Sequence, residues 1–367
     1  KLATPFSNLS AQAYLSYAMM AMNPDAPVDM KLDGHLGWQD LYSFMPSLRD
    51  MLRLLPQRSP VSLDVDASGS VSSLSVKLLK IGIRNFFKLT ASGSVDNPTD
   101  IKKMNASLDV DGSLLDARVG NALLASVLKG TGIHVPRFSI KGHIGVRNQT
   151  YMARLAMRSD AGDASADGTV SLNAETYDAS VTAKGLNIAA IMPSLGVGVV
   201  SGHVTAEGAG FNPTVPRAHT EISADMATLV YGGHNMAPLK ADAALSHGVY
   251  NISLEGRNPN LDLSLLADGT IKGNDYKMDI QADMRHVDLR ALGLMADTCN
   301  GSGHINLCGT ANPSAMLFDL AFGIDDIDWV YGSEHIQLPH ALDGTLLATS
   351  TDVAAELNGD GLNAKFA

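Results

Sequence analysis

The run Met278-Asp-Ile280-Gln-Ala282-Asp-Met284 alternates apolar and polar residues without a break. In an extended chain successive side chains point to opposite faces, so a period of two predicts a strand with one apolar and one wet face. The same alternation recurs in runs bounded by Gly, Asn, Asp or Pro, at Val61–Ala67, Ser107–Val110 and Val170–Ala174. The chain is therefore predicted to contain many short strands joined by tight turns in meander order.

Composition narrows the class of protein. Hydrophobic residues make up 45% of the 367 residues and charged residues 18%, which is too apolar for disorder and too low in charge for a coiled coil. The net charge is −11, and no basic run is longer than the pair Lys102-Lys103. This pattern predicts no nucleic-acid partner, and any contact with lipid is expected to use apolar surface, because negative charge is repelled by anionic membranes.

A glycine, a small or polar residue and an aliphatic residue recur together along the chain. Examples are Gly34-His-Leu36, Gly69-Ser-Val71, Gly93-Ser-Val95, Gly142-His-Ile144, Gly168-Thr-Val170, Gly202-His-Val204 and Gly303-His-Ile305. The chain also has a longer repeat of 100 or 101 residues. Ser201–Val204 recurs as Ser302–Ile305, and Val230–Gly232 recurs as Val330–Gly332. Such self-similarity indicates a reused supersecondary unit. The predicted modules are 1–60, 61–185, 186–285 and 286–367, the last being a truncated duplicate of the third.

Four segments interrupt the strand pattern with helical spacing or composition. They are Gln39–Leu55, Asn121–Lys129, Leu186–Leu195 and Val287–Met295. Each is predicted to form a short helix that caps or plugs an edge of the strand blocks, with proline ending some of them.

Three stretches carry a resemblance to a known family. They are Asp40-Leu-Tyr-Ser-Phe44-Met-Pro46, Leu89-Thr-Ala-Ser-Gly93-Ser-Val-Asp-Asn97-Pro-Thr99-Asp-Ile101 and Gly303-His-Ile-Asn-Leu-Cys-Gly309 followed by Ala311-Asn-Pro313. The succession resembles the TamB/AsmA-like family of bacterial envelope proteins over nearly the whole chain. The resemblance implies an all-β, elongated, repeat-built sheet, curled into a taco-like apolar groove with a few short helices.

The same resemblance implies a function. Members of that family are anchored in the inner membrane, cross the periplasm, and are thought to carry phospholipids toward the outer membrane or to support outer-membrane protein assembly. We accordingly expect a mid-protein segment of a periplasmic protein whose parent is anchored in the inner membrane. Its expected partners are a phospholipid or other acyl-chain lipid and, for the parent protein, an outer-membrane β-barrel.

The residue types themselves also favour a groove. Ala, Val, Leu, Ile and Met with few aromatic residues would leave a smooth apolar interior, and roughly twenty strands at about 4.8 Å would extend on the order of 100 Å. The side chains expected to line it are Leu63, Val65, Val76, Leu78, Leu108, Val110, Val170, Leu172, Leu263, Leu265, Met278, Ile280 and Met284.

Catalytic and metal chemistry is not indicated. Histidine occupies the middle of the recurring triplet at His35, His143, His203 and His304, but the same slot holds serine or threonine elsewhere, which is typical of a wet strand position. The acidic clusters, such as Asp64 with Asp66, lack the spacing of a calcium loop and are interpreted as solvated charge. Because no hydrolase or nucleotide-binding signature occurs, we expect a protein that is not an enzyme and needs no cofactor or metal.

Cys299 and Cys308 are the only cysteines, with eight residues between them. On neighbouring strands an oxidising periplasm would pair them, and the equal alternative is two separate small apolar residues. The two tryptophans, Trp38 and Trp329, are each predicted to pack at a module edge.

Two other classes of protein share the alternation. A structural or adhesive β-solenoid or β-sandwich array of the cell surface would carry no lipid, and its apolar side chains would fill a closed core. An outer-membrane β-barrel would place its apolar face outward and would carry girdles of aromatic residues.

Overall fold

A computed structural model describes residues 2–16, 23, 25–44, 57–98, 100, 102–124, 130–212, 215, 217–338, 340–360 and 362–366. Strand accounts for 68% of the structure and helix for 5%, so the prediction of an all-β fold with a few short helices is confirmed. The chain divides into two compact units, residues 1–173 with 183–195 and residues 174–182 with 196–367. The predicted module boundaries differ from this division and stay a prediction.

The first unit is an antiparallel meander. Its strands are β1 (Leu2–Ala3), β2 (Asn8–Leu15), β3 (Val28–Leu36), β4 (Val61–Gly69), β5 (Ser73–Ile83), β6 (Phe87–Asp96), β7 (Asn105–Leu114), β8 (Phe138–Arg147), β9 (Thr150–Ser159) and β10 (Gly162–Ser171). Each strand pairs with the next along the chain. Helices α1 (Trp38–Phe44) and α2 (Ala117–Leu124) follow β3 and β7.

Strand β11 (Thr176–Asn187) contributes residues 176–182 to the second unit and 183–187 to the first. Helix α3 (Ile188–Ile191) and a 3-10 turn, Pro193–Leu195, also belong to the first unit.

The second unit is also an antiparallel meander. Its strands are β12 (Val197–Ala209), β13 (His219–Tyr231), β14 (His234–Asn235), β15 (Leu239–Ser246), β16 (Val249–Asn258), β17 (Leu261–Lys272), β18 (Asp275–Asp288), β19 (Cys299–Asn312), β20 (Leu317–Tyr331), β21 (Glu334–Leu338), β22 (Leu342–Ala348), β23 (Val353–Gly359) and β24 (Leu362–Phe366). Strand β13 pairs with both β14 and β15, and β20 with both β21 and β22. These two branches begin at the duplicated motifs Val230–Gly232 and Val330–Gly332.

Strand register sorts the residues onto two faces. Residues directly opposite each other in an antiparallel pair lie on the same face of the sheet. Leu63 on β4 lies opposite Ile81 on β5, whereas its neighbour Asp64 lies opposite Lys80. We call the two faces of each unit its apolar face and its polar face.

Two buried clusters form the compact parts of the structure. In the first unit, Trp38 and Ile83 pack with Leu41, Tyr42, Val61, Phe86 and Phe87. The indole N–H of Trp38 donates to the carbonyl of Ser59 over 2.8 Å, so its polar group is satisfied. In the second unit, Met236, Val287 and Leu292 pack with residues that include Trp329. Each tryptophan therefore packs near the end of a strand or at the start of a helix that follows one.

Three of the four segments predicted to be helical contain a helix in the structure. Helix α1 begins one residue before the predicted segment 39–55, of which residues 45–55 lie outside the described part. Helix α2 begins four residues before the predicted segment 121–129, of which residues 125–129 also lie outside it. Segment 186–195 forms α3 and the 3-10 turn. Among the described helices, none has the length and apolar content needed to cross a membrane.

The helix predicted at 287–295 is wrong. Strand β18 runs to Asp288, and turns follow it. The Asp288 carboxylate accepts from the backbone N–H groups of Arg290 and Ala291, as a helix N-cap does. The positive φ of Gly293, 71°, then turns the chain away before a second helical turn forms.

Candidate functional site

The apolar face of the first unit runs from strand to strand without a polar interruption in its central rows. Val65 lies opposite Leu32 and Leu79, and Val110 lies opposite Ala91 and Gly142. Four more predicted residues occupy equivalent positions. Leu63 lies opposite Gly34 and Ile81, and Val76 lies opposite Ala67 and Gly93. Leu108 lies opposite Gly93 and Ile144, and Val170 lies opposite Tyr151. The nine strands β2 to β10 extend this face over about 40 Å.

The second unit repeats the arrangement. Leu265 lies opposite Leu254 and Ala282, and Ile280 lies opposite Ala267 and Leu307. The other residues of the predicted lining occupy the same face. Leu263 lies opposite Met284, which in turn lies opposite Gly303 on β19, and Met278 lies opposite Gly269. The structure thus brings these predicted side chains together within the unit that holds them.

Leu78 does not join this face as the sequence predicts. Register shifts between Asp66 and Ala67 and between Val76 and Leu79 mark a bulge on β5. The bulge leaves Leu78 opposite Asp66, and Leu79 takes the apolar position opposite Val65. A bulge inserts one residue and shifts the alternation, so strict period-two counting chooses the wrong leucine. Leu172 lies in the turn directly after β10, where its N–H donates to the carbonyl of Gln149.

Away from the two buried clusters, one of which packs against Leu263 and Met284, the apolar faces are open. Within the described part of each unit, the extensive contacts between strands join hydrogen-bonded neighbours, and no second sheet packs across them. Large side chains on the faces are consequently only partly covered: Ile222 is 41% exposed and Ile252 is 39% exposed. A filled sandwich core would bury such residues almost completely. Exposed apolar surface of this extent marks an interaction site.

The polar faces carry charges in complementary positions. Lys31 pairs with Asp66 at 3.4 Å, Arg154 with Asp167 at 2.6 Å and Lys240 with Asp225 at 3.3 Å. In the second unit, a hydrogen bond from Arg285 lowers the pKa of Asp262. Exposed pairs of this kind contribute little stability, but they keep one face of the sheet hydrated.

The histidines of the recurring triplet lie on the polar faces. The Nδ1 atom of His143 lies 3.0 Å from Asp109, and the Nε2 atom of His304 lies 3.3 Å from Asp283. His203 Nδ1 is 3.0 Å from the hydroxyl of Thr182. Among the described residues, no group of three or more His, Cys, Asp or Glu side chains has the arrangement of a metal site. These contacts are cross-strand polar pairs.

The cysteines do not form the disulfide that neighbouring strands would allow. Both lie on β19, Cys299 buried on the apolar face and Cys308 exposed on the polar face, and both thiols are free. Nine residues of extended strand separate their Cα atoms by about 30 Å, whereas a disulfide needs less than about 7 Å. Sequence spacing alone left this choice open, because it does not show where a strand turns.

We expect the two thiols to react at very different rates. In the native protein a maleimide should label Cys308 quickly and Cys299 slowly, because only Cys308 is exposed. Mass spectrometry should count one fast label without denaturant and two with it. Two fast labels would contradict the buried position of Cys299, and failure to label either without reductant would indicate a disulfide.

Comparison with known proteins identifies no relative. No protein-family model, curated protein or solved structure matches the chain.

Proposed function

We propose that this protein is a β-groove segment that binds the acyl chains of phospholipids and conducts them between inner and outer membrane. The observation that carries the proposal is the open apolar face of each unit, continuous across about nine or more strands and backed by a charged, hydrated face. The proposed role is binding and passage, with no enzymatic step.

The chemistry of the face favours an acyl chain as its occupant. Central rows present Leu, Val, Ile, Ala and Gly, with no charged side chain among the residues opposite Val110 and Ile280. A lipid exposing on the order of thirty methylenes to water costs about 25 kcal/mol, so a short patch cannot offset it and a continuous surface is needed. Equivalent positions on successive strands would let a chain slide with small barriers.

The cellular setting belongs to the same proposal and is supported by the resemblance to the TamB/AsmA-like family. Under this proposal the chain lies in the periplasm, as part of a parent protein anchored in the inner membrane. Support of outer-membrane protein assembly, with an outer-membrane β-barrel as the parent's partner, is the second role that the resemblance suggests.

A structural or adhesive array without lipid is the rival function. Such a protein gains its stability from a filled core, and its apolar side chains would be buried against each other. The partial exposure of Ile222 and Ile252 argues against it.

Native mass spectrometry with lipid extraction tests the proposal. The protein is purified without detergent from a bacterial host. We expect phospholipid to co-purify with it and to appear as adduct masses in the native spectrum. A protein that is free of lipid and takes up no fluorescent fatty acid would favour the structural array.

A further inference from the structure

A row of polar residues crosses the polar face of the first unit near one end of its strands. Consecutive cross-strand partners in this row are Ser62, Gly82, Lys88, Ser113, Ser139 and Arg158, on β4 to β9. Hydroxyl groups and cations thus share one level of the sheet, on the face opposite the apolar one.

Two adjoining depressions lie along this row. One, of about 410 Å³, is lined by residues that include Arg137, Arg158, Ser113 and Ser139. The other, of about 490 Å³, has Arg58, Arg84 and Lys88 in its lining and no acidic residue. Leu115 borders both, so the two depressions adjoin at its side chain.

The charge here is opposite to that of the whole chain, which carries −11. Within the described residues, Arg58, Arg84, Lys88 and Arg158 form no ion pair. The exception in the lining is Arg137, whose guanidinium contacts Asp160 at 2.6 Å. Asp163 stands directly opposite Arg158 on β10, yet the two form no ion pair. Most of the positive charge is therefore available to a ligand.

Ser113 gives a second, independent indication. The residue is only 8% exposed, and its Oγ atom has no hydrogen-bond partner in the protein. A buried hydroxyl without a partner is costly, and native structures rarely keep one without a reason. Ser113 lines the smaller depression, between Lys88 and Ser139 in the row.

We infer that this surface, formed by Lys88, Ser113, Ser139 and Arg158, binds a phosphate group. Arginine forks and lysine ammonium groups are the usual phosphate ligands, and serine hydroxyls donate to the remaining oxygens. The phosphate belongs either to a soluble phosphate compound or to a lipid headgroup. The site is independent of the apolar face, because its side chains lie on the other side of the sheet.

The test measures binding to the full chain with isothermal titration calorimetry and vesicle flotation. The probes are inorganic phosphate, glycerol 3-phosphate, vesicles of phosphatidylglycerol with phosphatidylcholine, and vesicles of phosphatidylcholine alone. We expect Lys88→Gln with Arg158→Gln to weaken binding at least about tenfold, which corresponds to about 1.4 kcal/mol. Ser113→Ala should weaken it while leaving the unliganded protein at least as stable, because it removes an unpaired buried hydroxyl.

Lys141→Gln is the matched control, since it removes one positive charge from the polar face of β8 outside the depressions. Loss of soluble-phosphate binding in the double variant, but not in the control, identifies a soluble ligand. Loss confined to phosphatidylglycerol vesicles identifies a headgroup. Absence of binding to every probe, or equal weakening by all variants, overturns the site and leaves the proposed lipid groove untouched.

Discussion

Replacing Leu265 by Asp is expected to weaken acyl-chain binding to the second unit strongly, whereas replacing its neighbour Leu266 by Asp leaves binding unchanged. The two leucines are adjacent on β17, but Leu265 lies on the apolar face opposite Leu254 and Ala282. Leu266 lies on the polar face opposite Ser253 and Gln281, where it is 50% exposed. The two variants carry the same new charge and differ only in the face that receives it.

The size of the effect follows from desolvation. A carboxylate that an acyl chain must cover loses its water without gaining a partner, which costs several kcal/mol and exceeds the tenfold change of about 1.4 kcal/mol. We expect the affinity of the second unit for a fluorescent fatty acid to fall at least about tenfold in the Leu265→Asp protein. Fluorescence titration measures this, and circular dichroism checks that both variants keep their strand content.

Binding along both units is tested by placing charges at several positions of the chain. Aspartate at Val65, Val110 and Ile280 should remove co-purifying phospholipid, because these positions place charge on the apolar face of both units. Equal uptake by the Leu265→Asp and Leu266→Asp proteins would show that the apolar face does not hold the lipid. Loss of uptake in both would point to a general effect of charge on β17.

Much of the fold is predictable from the sequence because one physical rule dominates it. Alternation in Met278–Met284 assigns each side chain to a face, and the structure keeps that alternation through the run. The rule fails where a single residue is inserted. The bulge at Lys77 places Leu79 on the apolar face and Leu78 on the polar face. Nothing in the local composition distinguishes these two leucines.

The ends of elements are predicted less well. The apolar residues of 287–295 have helical spacing, yet Val287 belongs to β18 and Leu292 packs in a turn against Met236 and Val287. Tertiary packing of these side chains decides the conformation there, and a local pattern cannot show it. The phosphate site also lies beyond sequence reasoning, because Ser113 and Arg158 are brought to one level only by strand register.

Replacing Gly93 by Ala is expected to destabilise the first unit strongly. Gly93 has φ of 146°, a conformation that residues with a side chain rarely adopt. A Cβ atom at this position would also overlap the carbonyl oxygen of Ser107 on the neighbouring strand. Strain of this backbone costs about 1–3 kcal/mol, and the overlap adds about as much by forcing β6 and β7 apart.

Gly112→Ala is the matched control for this variant. Gly112 lies on the apolar face of the adjoining strand, where an added Cβ meets flexible side-chain atoms of Ile140 and Leu89 at 3.4 Å. Denaturant unfolding should show a loss of at least about 2 kcal/mol for Gly93→Ala and less than about 1 kcal/mol for Gly112→Ala. Equal losses would show that close approach between β6 and β7 at Gly93 is not required. In that case the recurring glycine of the triplet serves only the turn or the packing of nearby side chains.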